Sequence, residues 1–122
     1  MESLIALHRG WGVPFVILLD DDAAGQKEKK RYQKDFLLSD DEVVTLGDLS
    51  GSLKGAEFEE IFKDDVRKSL PATAADPPTK HDFYLYFQKL VEDPTQATDM
   101  PETQAAFEEV LSGVEARLAT QA

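Results

Sequence analysis

Phe15-Val16-Ile17-Leu18-Leu19-Asp20-Asp21-Asp22-Ala23-Ala24-Gly25 is the stretch whose reading decides the fold. The apolar run begins at Val13 and shows no alternation of apolar and polar residues. Such a run reads as a strand buried on both faces, as in a parallel sheet. Pro14 sits at its start, where a proline is tolerated. The strand runs directly into three aspartates, and a glycine follows as a helix begins. In open α/β sheets the functional crevice lies at the carboxyl ends of the strands. Asp20 and Asp22 are therefore expected at such an end.

Upstream, Ser3 to Arg9 reads as a short helix with Leu4, Ile5, Leu7 and His8 near one side, stopped by Gly10 and Gly12 around Trp11. Downstream, a helix is expected from Ala23 to Leu37, carrying Lys27, Lys29, Lys30, Arg31 and Lys34. Ser39-Asp40-Asp41 reads as a turn, and Glu42 to Leu46 as a second strand closed by Gly47. Helix, strand, helix, strand is the grammar of a parallel α/β unit. Asp48 to Gly55 reads as loop, and Glu57 to Phe62 as one or two helical turns. Two breaks, Leu70 to Pro78 and Asp93 to Met100, flank a helix from Lys80 to Glu92. Its Phe83, Tyr84, Phe87, Leu90 and Val91 form an apolar stripe expected to pack in a core or helix interface. A last helix has Asp99 as cap, with Glu102 three residues on. Its expected apolar face is Phe107, Val110, Leu111, Val114 and Leu118. The partition expected is an α/β unit over residues 1–70 and a helical extension over 71–122.

Composition narrows the functional classes. The formal net charge of −11 disfavours general nucleic-acid binding, because phosphates repel an acidic chain. Clustered carboxylates that hold a cation would reverse the field locally. With no cysteine, the chain has neither a disulfide framework nor a thiolate metal site. The apolar run Val13 to Leu19 is too short to span a bilayer, and Met-Glu-Ser-Leu lacks the features of a signal peptide. A cytoplasmic protein without membrane association is expected.

Spaced two apart on extended chain, Asp20 and Asp22 can point the same way. Converging carboxylates repel each other, and a hard divalent cation relieves this; oxygen-only ligands suit Mg2+ or Mn2+. Gly25 would allow a tight turn into the helix. Asp21 is expected to face solvent or to cap the helix. The bland alternative is that these aspartates only cap a helix N-terminus, where aspartate is favoured by hydrogen bonding and by the helix dipole.

Val16-Ile17-Leu18-Leu19-Asp20-Asp21-Asp22-Ala23-Ala24-Gly25 resembles the DxD motif of TOPRIM domains, which occur in bacterial primases, type IA and type II topoisomerases, recombination proteins and OLD-family (overcoming lysogenization defect) nucleases. The likeness to the OLD family is the strongest. There a short acidic motif before a Leu-Phe pair follows the next strand. Here Phe58-Glu59-Glu60-Ile61-Phe62 stands at that place, and Glu59 and Glu60 match the acidic pair. A lysine at the start of a later helix matches Lys80. The likeness covers about Val13 to Val91. It implies a partial TOPRIM fold, Rossmann-like with parallel strands, and a metal-dependent DNA endonuclease that hydrolyses phosphodiesters. It further implies Mg2+ or Mn2+ held by Asp20, Asp22, Glu59 and Glu60, with Lys80 stabilising the reacting phosphate. TOPRIM domains begin with a strand ending in a catalytic glutamate, and no such strand precedes Val13 here. The expected partners are therefore DNA and a completing segment, either a partner chain or an upstream ATPase/TOPRIM segment, with a homo-oligomer as a further possibility.

A catalytically inactive TOPRIM-derived binding and assembly module is the alternative from another class. A response-regulator receiver and a HAD-like phosphatase fit less well, because Ala23-Ala24-Gly25 after Asp22 suits neither. Lys27, Lys30, Arg31 and Lys34 share one helix face, read as a solvated face or as a strip of phosphate contacts. Nothing marks His8 or His81 as a metal ligand, and Trp11 is expected to pack.

Overall fold

The computed structural model describes residues 2–96 and 99–121. The chain forms two compact units, one of Met1–Glu57 with Glu109–Ala122 and one of Phe58–Glu108. Residue 70 falls inside the second unit, and the last helix is shared between the two.

In the first unit, helix α1 spans Glu2–Trp11. It runs through Gly10 and ends at Gly12, whose φ of 66° is the left-handed conformation that glycine adopts freely. Ile5 is buried, whereas Leu4 and Leu7 are exposed and Trp11 is 74% exposed, so the expected packing of Trp11 does not occur. Strand β1 is Ile17–Leu19, much shorter than the apolar run, and pairs in parallel with β2, Val43–Thr45. The register sets Ile17 opposite Val43 and Leu19 opposite Thr45. The run stops being strand upstream because a side chain replaces a neighbouring strand there. The Gln121 amide accepts from the Phe15 N–H at 3.0 Å and donates to the Phe15 carbonyl at 2.9 Å. All of β2 is buried, as a strand covered on both faces should be. In β1 only Ile17 is buried, and Leu18 and Leu19 are half-buried.

Helix α2, Ala23–Phe36, links the two strands and ends at Leu37 in the left-handed region. Tyr32 of α2 joins Ile5, Ile17, Leu38 and Val43 in a core against which Phe15, Leu19 and Phe36 pack. The expected second strand does not reach Leu46. A short helix, α3, Leu46–Leu49, follows Thr45 at once, with the Asp48 carboxylate accepting from the Thr45 N–H at 2.9 Å. The Thr45-x-x-Asp48 spacing is that of a capping box, which starts a helix where β-propensity would have continued a strand. The expected loop after it carries a 3-10 turn, Gly51–Leu53, and buries Leu53 and Ala56.

The second unit opens with a 3-10 turn, Phe58–Ile61, then α4, Asp64–Arg67, and α5, Lys80–Glu92. Its core holds Ile61, Val66 and Phe83. The Phe62 ring stacks on Phe83 with centroids 4.3 Å apart and meets Phe87 and Phe107 at 5.3 and 5.6 Å. The α5 stripe is narrower than its sequence suggests. Tyr84 and Val91 are exposed, since each sits a residue, and so about 100°, around the helix from Phe83 and Leu90. Helix α6 spans Pro101–Gln121. Its first amides are satisfied by Asp65, which accepts from the Glu102 and Thr103 N–H groups at 2.8 and 3.1 Å. Asp65 thus fills the capping role expected of Asp99. Along α6, Val110 is buried but Leu111 is exposed, so Leu111 does not belong to the apolar face. Among the described residues no helix is long and apolar enough to cross a membrane.

Candidate functional site

The aspartates follow the last residue of β1 and precede the first turn of α2, and all three are half-buried. Their roles differ. Asp22 is the N-cap of α2: its backbone is extended, and its Oδ1 accepts from the Gly25 N–H at 2.7 Å. This is the capping geometry that aspartate favours, and it occupies one of two carboxylate oxygens. The Asp20 carbonyl lies so close to Gly25 that any Cβ there would overlap it. Glycine is therefore required at residue 25 for the chain to fold back over the end of the strand.

Asp21 is half-buried and does not cap α2. Its N–H donates to the Ala56 carbonyl at 2.8 Å, and its carboxylate accepts from the Gly55 N–H at 2.7 Å and from the Gln26 amide. Gly47 packs directly on that carboxylate and has no room for a Cβ. Burial alone would raise the pKa of Asp21, but the hydrogen bonds from the Gly55 N–H and the Gln26 amide outweigh it and hold the carboxyl below its ordinary value. Asp48 behaves likewise. Burial raises it, and the Lys29 ammonium at 2.8 Å with the Thr45 N–H brings it below the usual range. These two aspartates fasten the loops after β1 and β2. The Thr45-x-x-Asp48 spacing could have signalled the second of these roles, which the expectation of a loop from Asp48 passed over; no spacing signals the first.

On α2, Lys27, Lys30 and Lys34 are exposed along one side. Arg31 pairs instead with Glu28 at 2.8 Å and Glu2 at 3.2 Å. The face is therefore a mixed, solvated one.

Glu59, Glu60 and Lys80 belong to the second unit. Glu60 is exposed. The Glu59 side chain is only 14% exposed; its Oε1 lies 3.7 Å from the Lys80 Nζ, and its Oε2 is buried with no hydrogen-bond partner among the described residues. Lys80 is the first residue of α5, as expected, and its side chain is 68% exposed. The turn carrying Glu59 is clamped by Arg67, which donates to the Glu59 carbonyl at 2.7 Å and to the Phe62 carbonyl at 2.6 Å. A groove of about 410 Å3 is lined by Phe58, Glu59, Phe62, Lys80, Phe83, Tyr84 and Phe87. Phe58 with Phe62, and Phe83 with Phe87, are each one helical turn apart, which was the only sequence signal for the groove.

Among the described residues, no three or more histidine, aspartate or glutamate side chains converge in a ready-made metal cage. Comparison with protein-family models, with curated proteins and with solved structures finds no match to this chain.

Proposed function

We propose that this chain is the DxD-bearing part of a TOPRIM-like, metal-dependent DNA endonuclease resembling the OLD family. The observation that carries the reading is the position of Asp20 and Asp22 directly after β1 in a parallel strand–helix–strand unit. Ligands of open α/β sheets bind at such strand ends. Asp20 and Asp22 would hold one Mg2+ or Mn2+, with water filling most remaining positions, as Mg2+ prefers. The capping bond of Asp22 uses Oδ1, and a carboxylate can cap through one oxygen and ligate through the other.

A second ion about 3.5–4 Å from the first would let the pair activate a water and stabilise the leaving oxygen of a phosphodiester. The resemblance gives a ligand role for a second ion to Glu59 or Glu60, of which Glu60 is the exposed one. Lys80, also exposed, would offset charge on the reacting phosphate. The acid–base glutamate of the family would come from a completing segment.

The test is nicking of supercoiled plasmid with Mn2+, by this chain and by a fusion to a strand ending in glutamate. We expect little cleavage by the chain, cleavage by the fusion, and its loss in Asp20→Asn. Robust cleavage by the chain alone that depends on Asp20 would remove the need for a completing segment. An inert fusion would favour the second reading, a catalytically inactive assembly module. That reading draws on the structural employment of Asp21 and Asp22, which gives both a use without any metal.

A further inference from the structure

The sheet of the first unit has one closed edge and one open edge. On the outer side of β2 the Val43 N–H donates to the Ser39 carbonyl at 3.3 Å and the Thr45 N–H to the Asp48 carboxylate at 2.9 Å, and the whole strand is buried. β1 is different. Backbone groups point alternately to either side along a strand. The Ile17 N–H donates to the Glu42 carbonyl at 2.8 Å, so Ile17 and Leu19 turn their backbone groups to β2, and Val16 and Leu18 turn theirs outward. Among the described residues, no hydrogen bond reaches the N–H or carbonyl of Val16 or Leu18 on that side. Both residues are half-buried. Open edges are usually blunted by a charged side chain, a proline or a bulge. The stretch from Phe15 to Leu19 has no charge and no proline, and the register of β1 is unbroken.

We propose that the open edge of β1 pairs with the same edge of a second copy of this chain, antiparallel, about a two-fold axis at Leu18. Leu18 then exchanges both backbone hydrogen bonds with Leu18 of the other copy, and two two-stranded sheets become one of four strands. Sheets that join parallel pairs through an antiparallel neighbour are common. Charge fixes the direction. In a parallel pair, Asp20, Asp21 and Asp22 of both copies would lie side by side, and like charges so placed repel. In the antiparallel pair the two acidic ends lie on opposite sides of the axis. Charge also favours a copy meeting itself here. The run from Val13 to Leu19 is uncharged, so a chain of net charge −11 brings it against itself without opposing carboxylates. The overall repulsion of two such chains still weakens the dimer, and salt screens it.

The inference concerns the sheet edge and is independent of cation binding at Asp20 and Asp22. It names what occupies the edge when no completing strand does. The test is sedimentation equilibrium of the full chain at rising concentration, in low and high salt, together with backbone amide exchange followed by NMR. We expect a monomer–dimer equilibrium that tightens several-fold in high salt. The Leu18 amide should exchange at least tenfold more slowly as the dimer forms, whereas the Ile17 amide, bonded to β2 in either state, should not respond. Leu18→Pro removes an N–H that serves no bond among the described residues, and it should weaken the dimer at least tenfold. The exchange measurement needs no variant and decides the matter even if the proline disturbs the fold. Leu7→Ser, on the exposed side of α1, should leave the dimer unchanged. A monomer at every concentration and salt, a dimer in which Leu18 exchanges as fast as in the monomer, or a folded Leu18→Pro that still dimerises would each overturn the proposal. So would loss of the dimer in Leu7→Ser, which would move the interface to α1.

Discussion

At the strand ends of the first unit, carboxylates are held by backbone amides: Asp22 by the Gly25 N–H and Asp21 by the Gly55 N–H. In the second unit, Glu59 is held among rings, with one lysine near one oxygen and, among the described residues, no hydrogen-bond partner at the other. The two arrangements store charge differently. At Asp21 the Gly55 N–H and the Gln26 amide favour the ionised form and hold the carboxyl below its ordinary value against the effect of burial. Glu59 instead sits in an apolar wall, with the Lys80 ammonium 3.7 Å from its Oε1.

The largest effect that would break this contrast is at Gly25. Alanine normally stabilises a helix interior over glycine by up to about 1 kcal/mol. Here the added methyl group overlaps the Asp20 carbonyl, a backbone atom that cannot move alone. Gly25→Ala should therefore destabilise, by about 1–3 kcal/mol or more, on the scale of overpacking. Urea denaturation measures this, and a gain in stability would mean that the turn at Asp20 is not built as described.

Next in size is the cap. Asp22→Ala should cost about 1 kcal/mol, whereas Asp22→Asn, which keeps the capping oxygen, should stay within a few tenths. Equal losses in the two variants would assign the stabilisation to the charge of Asp22 and not to its hydrogen bond.

Acid unfolding sharpens the contrast further. Asp21, Asp48 and Asp65 have lowered proton affinity in the folded chain; for all three burial opposes the lowering, and hydrogen bonds outweigh it. A lowered folded value means that the unfolded chain takes up protons first. The stabilisation is then present above about pH 3.9, the ordinary aspartate value, and is lost as pH falls from there through the folded values. Asp21→Asn should flatten that loss in a pH series of thermal melts; an unchanged slope would exclude Asp21 from it.

The smallest effect is expected at Glu59. Its contact with Lys80 is long, and the lysine is exposed, so Glu59→Gln should alter stability by no more than about 0.5 kcal/mol in either direction. A large loss would mean that Glu59 serves the fold.

What was legible in the sequence follows the reach of its interactions. The strand–helix–strand order, the positions of Asp20 and Asp22, and the helix from Lys80 to Glu92 rest on patterns within a few residues. The short β1 was not legible, because the amide of Gln121 takes the backbone groups of Phe15 from 106 residues away. The cap of α6 was missed for the same reason: Asp65 reaches it across 37 residues, while Asp99 only had the right local spacing. The exposure of Tyr84, and the groove it lines, depend on where Phe58 and Phe62 come to rest against α5. Of the candidate site, sequence alone placed Asp20 and Asp22 at a strand end, but it did not show that the Asp21 carboxylate is bonded to the Gly55 N–H.

The central claim is that Asp20 and Asp22 hold a divalent cation. The most direct measurement is a titration with Mn2+, followed calorimetrically and by the electron paramagnetic signal of the free ion, on the chain and on Asp20→Asn and Asp22→Asn. Asp22→Asn is the telling variant, since it keeps the cap and removes only the charge. The account predicts one weakly bound ion in the parent chain, competed by Mg2+ and lost in both variants while their thermal stability holds. Undiminished Mn2+ binding in the variants, or none in the parent chain, would contradict it.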